Sequence, residues 1–156
     1  MELNHIKETA NDFMEQFDLH SKGWRFTFCN ALSYIGQCNY RNKEIKFSKK
    51  FADIPYKEIK DTVLHEIAHA LDKERNGVSS RHGAPWKRIA MEIGARPTSQ
   101  SHSTDVQETV RKQYKYIVEC PTHGFIGGLT RRTKGVRNNS YVCRQCGAKA
   151  EVLNND

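Results

Sequence analysis

The sequence predicts an α+β fold in which a small antiparallel sheet packs against helices, followed by a smaller β unit near the C-terminus. Apolar residues recur with the helical period in several stretches, and three short stretches after the first of these alternate in the manner of strands. The 156 residues suffice for one domain of ordinary size and a small appendage.

Three helices are predicted from apolar periodicity. Residues 1–17 carry one apolar stripe at helical spacing and should pack it on the core. Residues 55–75 carry a longer apolar stripe and are predicted to form the second helix. A proline suits its first turn, and Asn76-Gly77 suits its C-terminal end. Residues 85–93 fit a third helix, which Gly94 ends.

The strands are shorter, and they divide between two parts of the chain. Alternation predicts three strands in the first part, at residues 24–29, 33–40 and 44–48, and two in the last part, at residues 114–119 and 140–143. A stretch rich in Ser, Thr and Gln follows residue 97 and lacks an apolar period. We therefore predict a domain over 1–97, a linker over 98–113 and a small β unit over 114–156.

The formal net charge is +7, and +5 of it lies between Arg96 and Asp156. Such a basic unit is suited to phosphates, although the same charges also serve a merely solvated surface. There is no run of eighteen apolar residues and no N-terminal signal pattern. We expect a soluble protein of the cytoplasm, nucleoid or nucleus that is not secreted and has no membrane partner.

The central helix contains His65-Glu66-Ile67-Ala68-His69. Residues i and i+4 share one helix face, so both imidazoles can reach one zinc ion while the Glu66 carboxylate points at the water on that metal. The alternative is an ordinary amphipathic helix, but a shuffled chain would contain this pattern only about 0.02 times. The motif predicts a zinc hydrolase in which Glu66 is the acid/base.

A catalytic zinc site takes three protein ligands and keeps one position open. His82 lies in the loop that enters the next helix and is the nearest candidate for the third ligand. Glu92 on that helix is a rival, since a carboxylate also ligates zinc, and His82 could be a solvated loop residue. The residue types alone leave these alternatives open.

Two further ligand pairs lie near the C-terminus, Cys120-Pro-Thr-His123 and Cys143-Arg-Gln-Cys146. Four nitrogen and sulfur ligands without an open position describe a structural zinc ribbon. Cysteine is the commoner residue at the place of His123, which could instead be solvated. The chain is thus expected to bind two zinc ions, one catalytic and one structural.

Four cations lie between the two ligand pairs, in a stretch expected to be a flexible loop and followed by Tyr141: Arg131, Arg132, Lys134 and Arg137. Such a set suits contact with nucleic-acid phosphates, and the aromatic ring suits base stacking. A mobile, solvated loop is the alternative, because charge runs alone are weak indicators.

From Trp24 to about Ala95 the chain resembles the SprT-like domain of the Spartan metalloproteases. The shared pattern comprises Trp24-x-Phe26-x-Phe28, Gly36-x-Cys38-x-Tyr40, Ile45-x-Phe47-Ser48, the segment from Leu64 to Ala70, and His82-Gly83-x-Pro85-Trp86. The resemblance implies that His65, His69 and His82 bind zinc and that Glu66 is the catalytic acid/base, which favours His82 over Glu92. SprT-like proteins often carry a C-terminal zinc ribbon, and residues 114–156 look similar to one.

The resemblance implies a zinc metalloprotease that cleaves proteins bound or crosslinked to DNA, with DNA recruiting the enzyme. Its partners would then be DNA and DNA-bound protein substrates. Two alternatives remain at this point: a nucleic-acid or transcription-complex binding module with a zinc scaffold, and a zinc peptidase unrelated to DNA. Glu66 favours an enzyme over a scaffold because it is not itself a ligand, and the basic ribbon favours a link to DNA.

Overall fold

The computed structural model describes residues 2–32, 34–98 and 104–155. The chain forms two compact units, one up to Val106 and one from Gln107 onward. The predicted strand start at Ser33 and part of the predicted linker, residues 99–103, lie outside the described residues.

The first unit is built from helices and a three-stranded sheet, in the order α1 (Leu3–Gln16), β1 (Arg25–Cys29), β2 (Gly36–Asn39), β3 (Glu44–Ser48), α2 (Tyr56–Asn76) and α3 (Ala84–Ile93). The predicted α+β class is therefore confirmed. Gly77 and Gly94 end α2 and α3 in the left-handed conformation, with φ of 74° and 85°, as the two stop signals predict.

The sheet of the first unit has the order β1-β3-β2, with β3 in the middle. Its β2–β3 pairing is antiparallel, as predicted, whereas β1 runs parallel to β3 with Phe26 opposite Ile45. One of the two pairings thus differs from the predicted antiparallel sheet. The reason is physical: alternation of side chains marks the two faces of a strand but carries no information about its direction.

The core of the first unit lies between this sheet and the helices. α2 packs against α1, α3, β2 and β3, and it buries an apolar face that includes Ile59, Val63 and Ile67. Trp86 of α3 is completely buried. Among the described residues, no helix is both long and apolar enough to cross a membrane.

The second unit contains an antiparallel sheet of order β5-β4-β6, made of β4 (Tyr116–Cys120), β5 (Gly124–Leu129) and β6 (Glu151–Asn154). Two short helices accompany it, α4 (Thr104–Lys112), which contains the boundary between the units, and α5 (Lys134–Asn138). The sequence patterns miss β5 and β6. The strand predicted at 140–143 is wrong, since this stretch forms only one isolated bridge, between Val142 and Lys149.

Candidate metal centre and active site

Helix α2 presents two imidazoles on one face, and a loop brings a third beside them. The Nε2 atoms of His65 and His69 are 3.2 Å apart, because four residues complete about one helical turn. The Nε2 atom of His82 lies 3.0 Å from that of His65 and 3.1 Å from that of His69. The three nitrogens form a nearly equilateral triangle and could hold a metal ion.

The donor set fits zinc. Two nitrogens that lie about 2.0–2.1 Å from one tetrahedral zinc are about 3.4 Å apart, close to the spacing seen here. Burial, and then the neighbouring His65 and His82, lower the pKa of His69 to about 3. Partial desolvation and then Lys87 lower the pKa of His82, although the residue as a whole is exposed. Both imidazoles are therefore neutral at pH 7, which is the form that ligates a metal.

The indole of Trp86 forms a common platform under the three imidazoles. Its ring centroid lies 4.7 Å from that of His65, 5.2 Å from that of His69 and 4.7 Å from that of His82. Because the indole is fully buried, it cannot move without disturbing the core. Trp86 therefore restricts the orientation of all three rings.

Glu66 directly follows His65 on α2 and is buried, with only 8% of the residue exposed. Burial raises the pKa of its carboxyl to about 8, although the backbone N–H of Cys38 in β2 donates a hydrogen bond that acts in the opposite direction. Cys38 is itself a half-buried free thiol, and burial, then the nearby Glu66, raise its pKa. Edge strand β2 thus contacts the Glu66 carboxyl of α2 through its backbone.

Gly36 allows this close approach, and the sequence reasoning did not identify it as a site residue. A Cβ atom at position 36 would lie 2.7 Å from Thr62 Cγ2 and 3.0 Å from Glu66 Cγ. Any larger residue would therefore push β2 away from α2 or displace Glu66. The available signal was a glycine inside a predicted strand, which often marks a close backbone approach.

The rival ligand Glu92 is not part of this arrangement. Its carboxylate is exposed on α3 and accepts two hydrogen bonds from Arg75, at 2.9 and 3.0 Å. Those bonds and the adjacent guanidinium charge lower the pKa of Glu92. The structure thus brings His82, and not Glu92, together with His65 and His69.

A second group of ligand atoms lies in the second unit. His123 Nδ1 is 3.6 Å from Cys120 Sγ and 3.5 Å from Cys143 Sγ, and Cys120 Sγ is 3.6 Å from Cys146 Sγ. These four atoms could hold one metal ion, and their spacing suits tetrahedral zinc, whose bonds to sulfur are about 2.3 Å. The unit fits a zinc ribbon with three cysteines and one histidine.

The thiol of Cys120 is prepared for metal binding. Burial acts to raise its pKa, but hydrogen bonds from the backbone N–H groups of His123 and Thr122 outweigh burial and bring the pKa to about 6. A thiolate is the form that binds zinc. The cysteine at position 120 therefore offers a ligand at neutral pH.

The four cations considered for DNA contact are all exposed: Arg131, Arg132, Lys134 and Arg137. The stretch is not wholly the flexible loop that was expected, because the last two cations lie on α5, which Thr133 caps by accepting a hydrogen bond from Val136 N at 3.2 Å. Tyr141 lies 3.2 Å from the Thr133 hydroxyl and packs closely over Gly135. Its ring therefore has a structural role in this segment.

Comparison with known proteins relates the chain to one family. The model of the SprT-like family matches residues 3–111. Protein SprT of Yersinia pseudotuberculosis serotype O:1b (strain IP 31758) is 31% identical over 96 residues, which cover 61% of this chain and 55% of that protein. Protein SprT of Glaesserella parasuis serovar 5 is 27% identical over 116 residues, or 74% of this chain and 71% of the relative.

Protein SprT of Vibrio atlanticus is similar over a comparable length, with 28% identity over 113 residues, 71% of this chain and 67% of that protein. The chain spans only about half the length of the Yersinia relative. The family match nevertheless includes all three imidazoles, Glu66 and more than half of the residues. The chain belongs to the SprT-like family.

Proposed function

We propose that this chain is a zinc metalloprotease that cleaves proteins bound or crosslinked to DNA. The observation that carries the proposal is the convergence of three imidazole nitrogens, one of them from His65, which directly precedes the buried Glu66 on α2. His65, His69 and His82 would hold the zinc ion, and Cys120, His123, Cys143 and Cys146 would hold a second, structural one.

A zinc ion in the three-histidine site would polarise a peptide carbonyl and lower the pKa of a water molecule towards 7. Glu66 would take a proton from the attacking water and later deliver it to the departing amine. Its surroundings suit both tasks, because burial favours the protonated form of the carboxyl, whereas the hydrogen bond from the Cys38 N–H favours the ionised form.

The proposed link to DNA rests on charge. The C-terminal part carries +5 of the net charge, and the exposed cations on and before α5 are suited to phosphates. Contacts with phosphates give little sequence preference. The enzyme would therefore be recruited to DNA in general and would work in the nucleoid or the nucleus.

The test uses the full chain, loaded with zinc, and a DNA-binding protein crosslinked to an oligonucleotide. Fragments should appear with this substrate, and they should disappear with a chelator or in Glu66→Gln. Equal cleavage of the same protein without DNA would indicate a zinc peptidase unrelated to DNA. DNA binding without fragments would indicate a non-proteolytic binding module.

A further inference from the structure

Asp72 is a buried carboxylate that the proposed chemistry does not use. It lies on α2 one turn after His69 and is 0% exposed. Asp72 accepts hydrogen bonds from Asn76 Nδ2, from the backbone N of Ser80 and from Ser80 Oγ, each at 2.7 Å.

These bonds tie α2 to the loop that carries His82. A buried charge is costly unless hydrogen bonds compensate it, and here two of the three bonds come from Ser80, two residues before His82. Ser80 Oγ also accepts a hydrogen bond from Trp86 N at 3.2 Å, and Ser80 O accepts one from Gly83 N at 2.9 Å. The network therefore reaches both sides of His82.

The loop needs such ties because its own conformation is unfavourable. Arg81, directly before His82, has a φ of 56°, a region that non-glycine residues rarely adopt because Cβ there crowds the backbone. His82 itself is exposed, so burial does not fix it. A second tie, from Ser79 Oγ to the Tyr40 hydroxyl at 2.8 Å, joins the loop to the end of β2.

We propose that Asp72 is a positioning residue, which holds the loop so that His82 Nε2 stays beside His65 and His69 and the metal site is formed before metal binds. The inference rests on the proposed metal site. It explains why the strained turn at Arg81 persists. In this role the Asp72 carboxylate positions the third ligand, His82, and does more than stabilise α2.

The experiment is a titration of the full chain with Co²⁺, followed by absorption. Cobalt bound to the cysteines of the ribbon gives a thiolate-to-cobalt charge-transfer band. Cobalt bound to the three histidines gives ligand-field bands with no such charge-transfer band. Asp72→Asn keeps the shape of the side chain but replaces one carboxylate oxygen by an amide NH₂. That NH₂ is a donor and cannot accept the hydrogen bonds that Asn76 or Ser80 donates to the oxygen. We expect affinity at the three-histidine site to fall by about 10- to 100-fold, with altered ligand-field bands and unchanged ribbon binding.

Glu92→Gln is the matched control. It also converts a carboxylate to an amide, and it weakens the ion pair that Glu92 of α3 forms with Arg75 of α2, but that pair is exposed and does not involve the loop. Its cobalt affinity should equal that of the parent. A loss as large as that of Asp72→Asn would overturn the proposal, because any weakening of the α2–α3 contact would then suffice.

Ser80→Ala tests the same network without touching α2, and it decides the matter if Asp72→Asn does not fold. Loss of the hydroxyl should weaken cobalt binding roughly five-fold, and the double variant should bind no more weakly than Asp72→Asn, because both residues act through one network. Parent affinity in Asp72→Asn, or in Ser80→Ala, would overturn the inference. Failure of the parent to bind cobalt outside the ribbon would instead reject the proposed metal site itself.

Discussion

Substitution of Gly36 by alanine tests how edge strand β2 controls the position of the Glu66 carboxyl, the proposed acid/base. The added Cβ would lie 2.7 Å from Thr62 Cγ2, 3.0 Å from Glu66 Cγ and 3.1 Å from Glu66 Oε1. Apolar contacts are most favourable at about 3.5–4.0 Å, so the strand or the side chains must separate by about 1 Å. Since β2 pairs only with β3 within the part of the chain that the structure describes, we expect the separation to be shared between the strand and Glu66.

Overpacking of this size typically lowers the free energy of unfolding by about 1–3 kcal/mol. A displacement of about 1 Å in a catalytic group can lower the rate by about 10²-fold. We therefore expect Gly36→Ala to lose about 10²-fold in kcat/KM on the crosslinked substrate. Zinc content should not change, because the three atoms nearest to the added Cβ belong to Thr62 and Glu66 and not to the three imidazoles.

The assay compares kcat/KM, zinc content and thermal unfolding of three variants. Gly127→Ala is the control, because a Cβ there meets nothing within 4 Å, and it should be neutral. Adding Thr62→Ser to Gly36→Ala removes the closest clashing methyl group and should restore part of the activity. Full activity in Gly36→Ala would refute the claim that β2 fixes Glu66, and lost stability with retained activity would reduce Gly36 to a packing role.

Three further predictions concern metals and DNA. The purified protein should contain about two equivalents of zinc, one for each ligand set, and Cys143→Ser should remove one; an unchanged single equivalent in both proteins would eliminate the ribbon. His82→Ala should lose the catalytic zinc and Glu92→Ala should retain it, as elemental analysis will show; the reverse pattern would make the carboxylate the third ligand. DNA affinity should fall with salt at a log–log slope of up to about 4. Alanine at all four exposed cations should weaken DNA binding and flatten that slope without changing zinc content; the four are Arg131, Arg132, Lys134 and Arg137. Equal slopes for the parent and this variant would place the DNA contact on another surface.

Helix α2, which carries His65 and His69, is the part of the site that the sequence predicts best. Helical periodicity alone puts His65 and His69 on one face, and the geometry of one turn then brings their Nε2 atoms together. The third imidazole is harder, because periodicity does not encode the path of a loop. Residue types left His82 and Glu92 open, and only the family resemblance favoured His82, which the structure brings beside the other two.

Other features depend on contacts that no local pattern records. Asp72 looks like any polar residue of a long helix, and its role appears only when Ser80 returns to it eight positions later. Strand β5 has three glycines in six residues, which is a poor strand composition, and its pairing with β4 supplies what propensity lacks. The order β1-β3-β2 and the parallel direction of β1 are likewise tertiary features, which the alternation of side chains does not record.

The central claim is that Glu66 performs proton transfer in a protease without helping to bind the metal. The most direct measurement compares the parent and Glu66→Gln at equal zinc content, in a single-turnover cleavage of the DNA-crosslinked protein. Removal of a general acid/base typically costs about 10²–10⁴-fold in rate. The account predicts a loss of that size with zinc content, fold and DNA affinity unchanged, whereas cleavage by Glu66→Gln at the parent rate would contradict it.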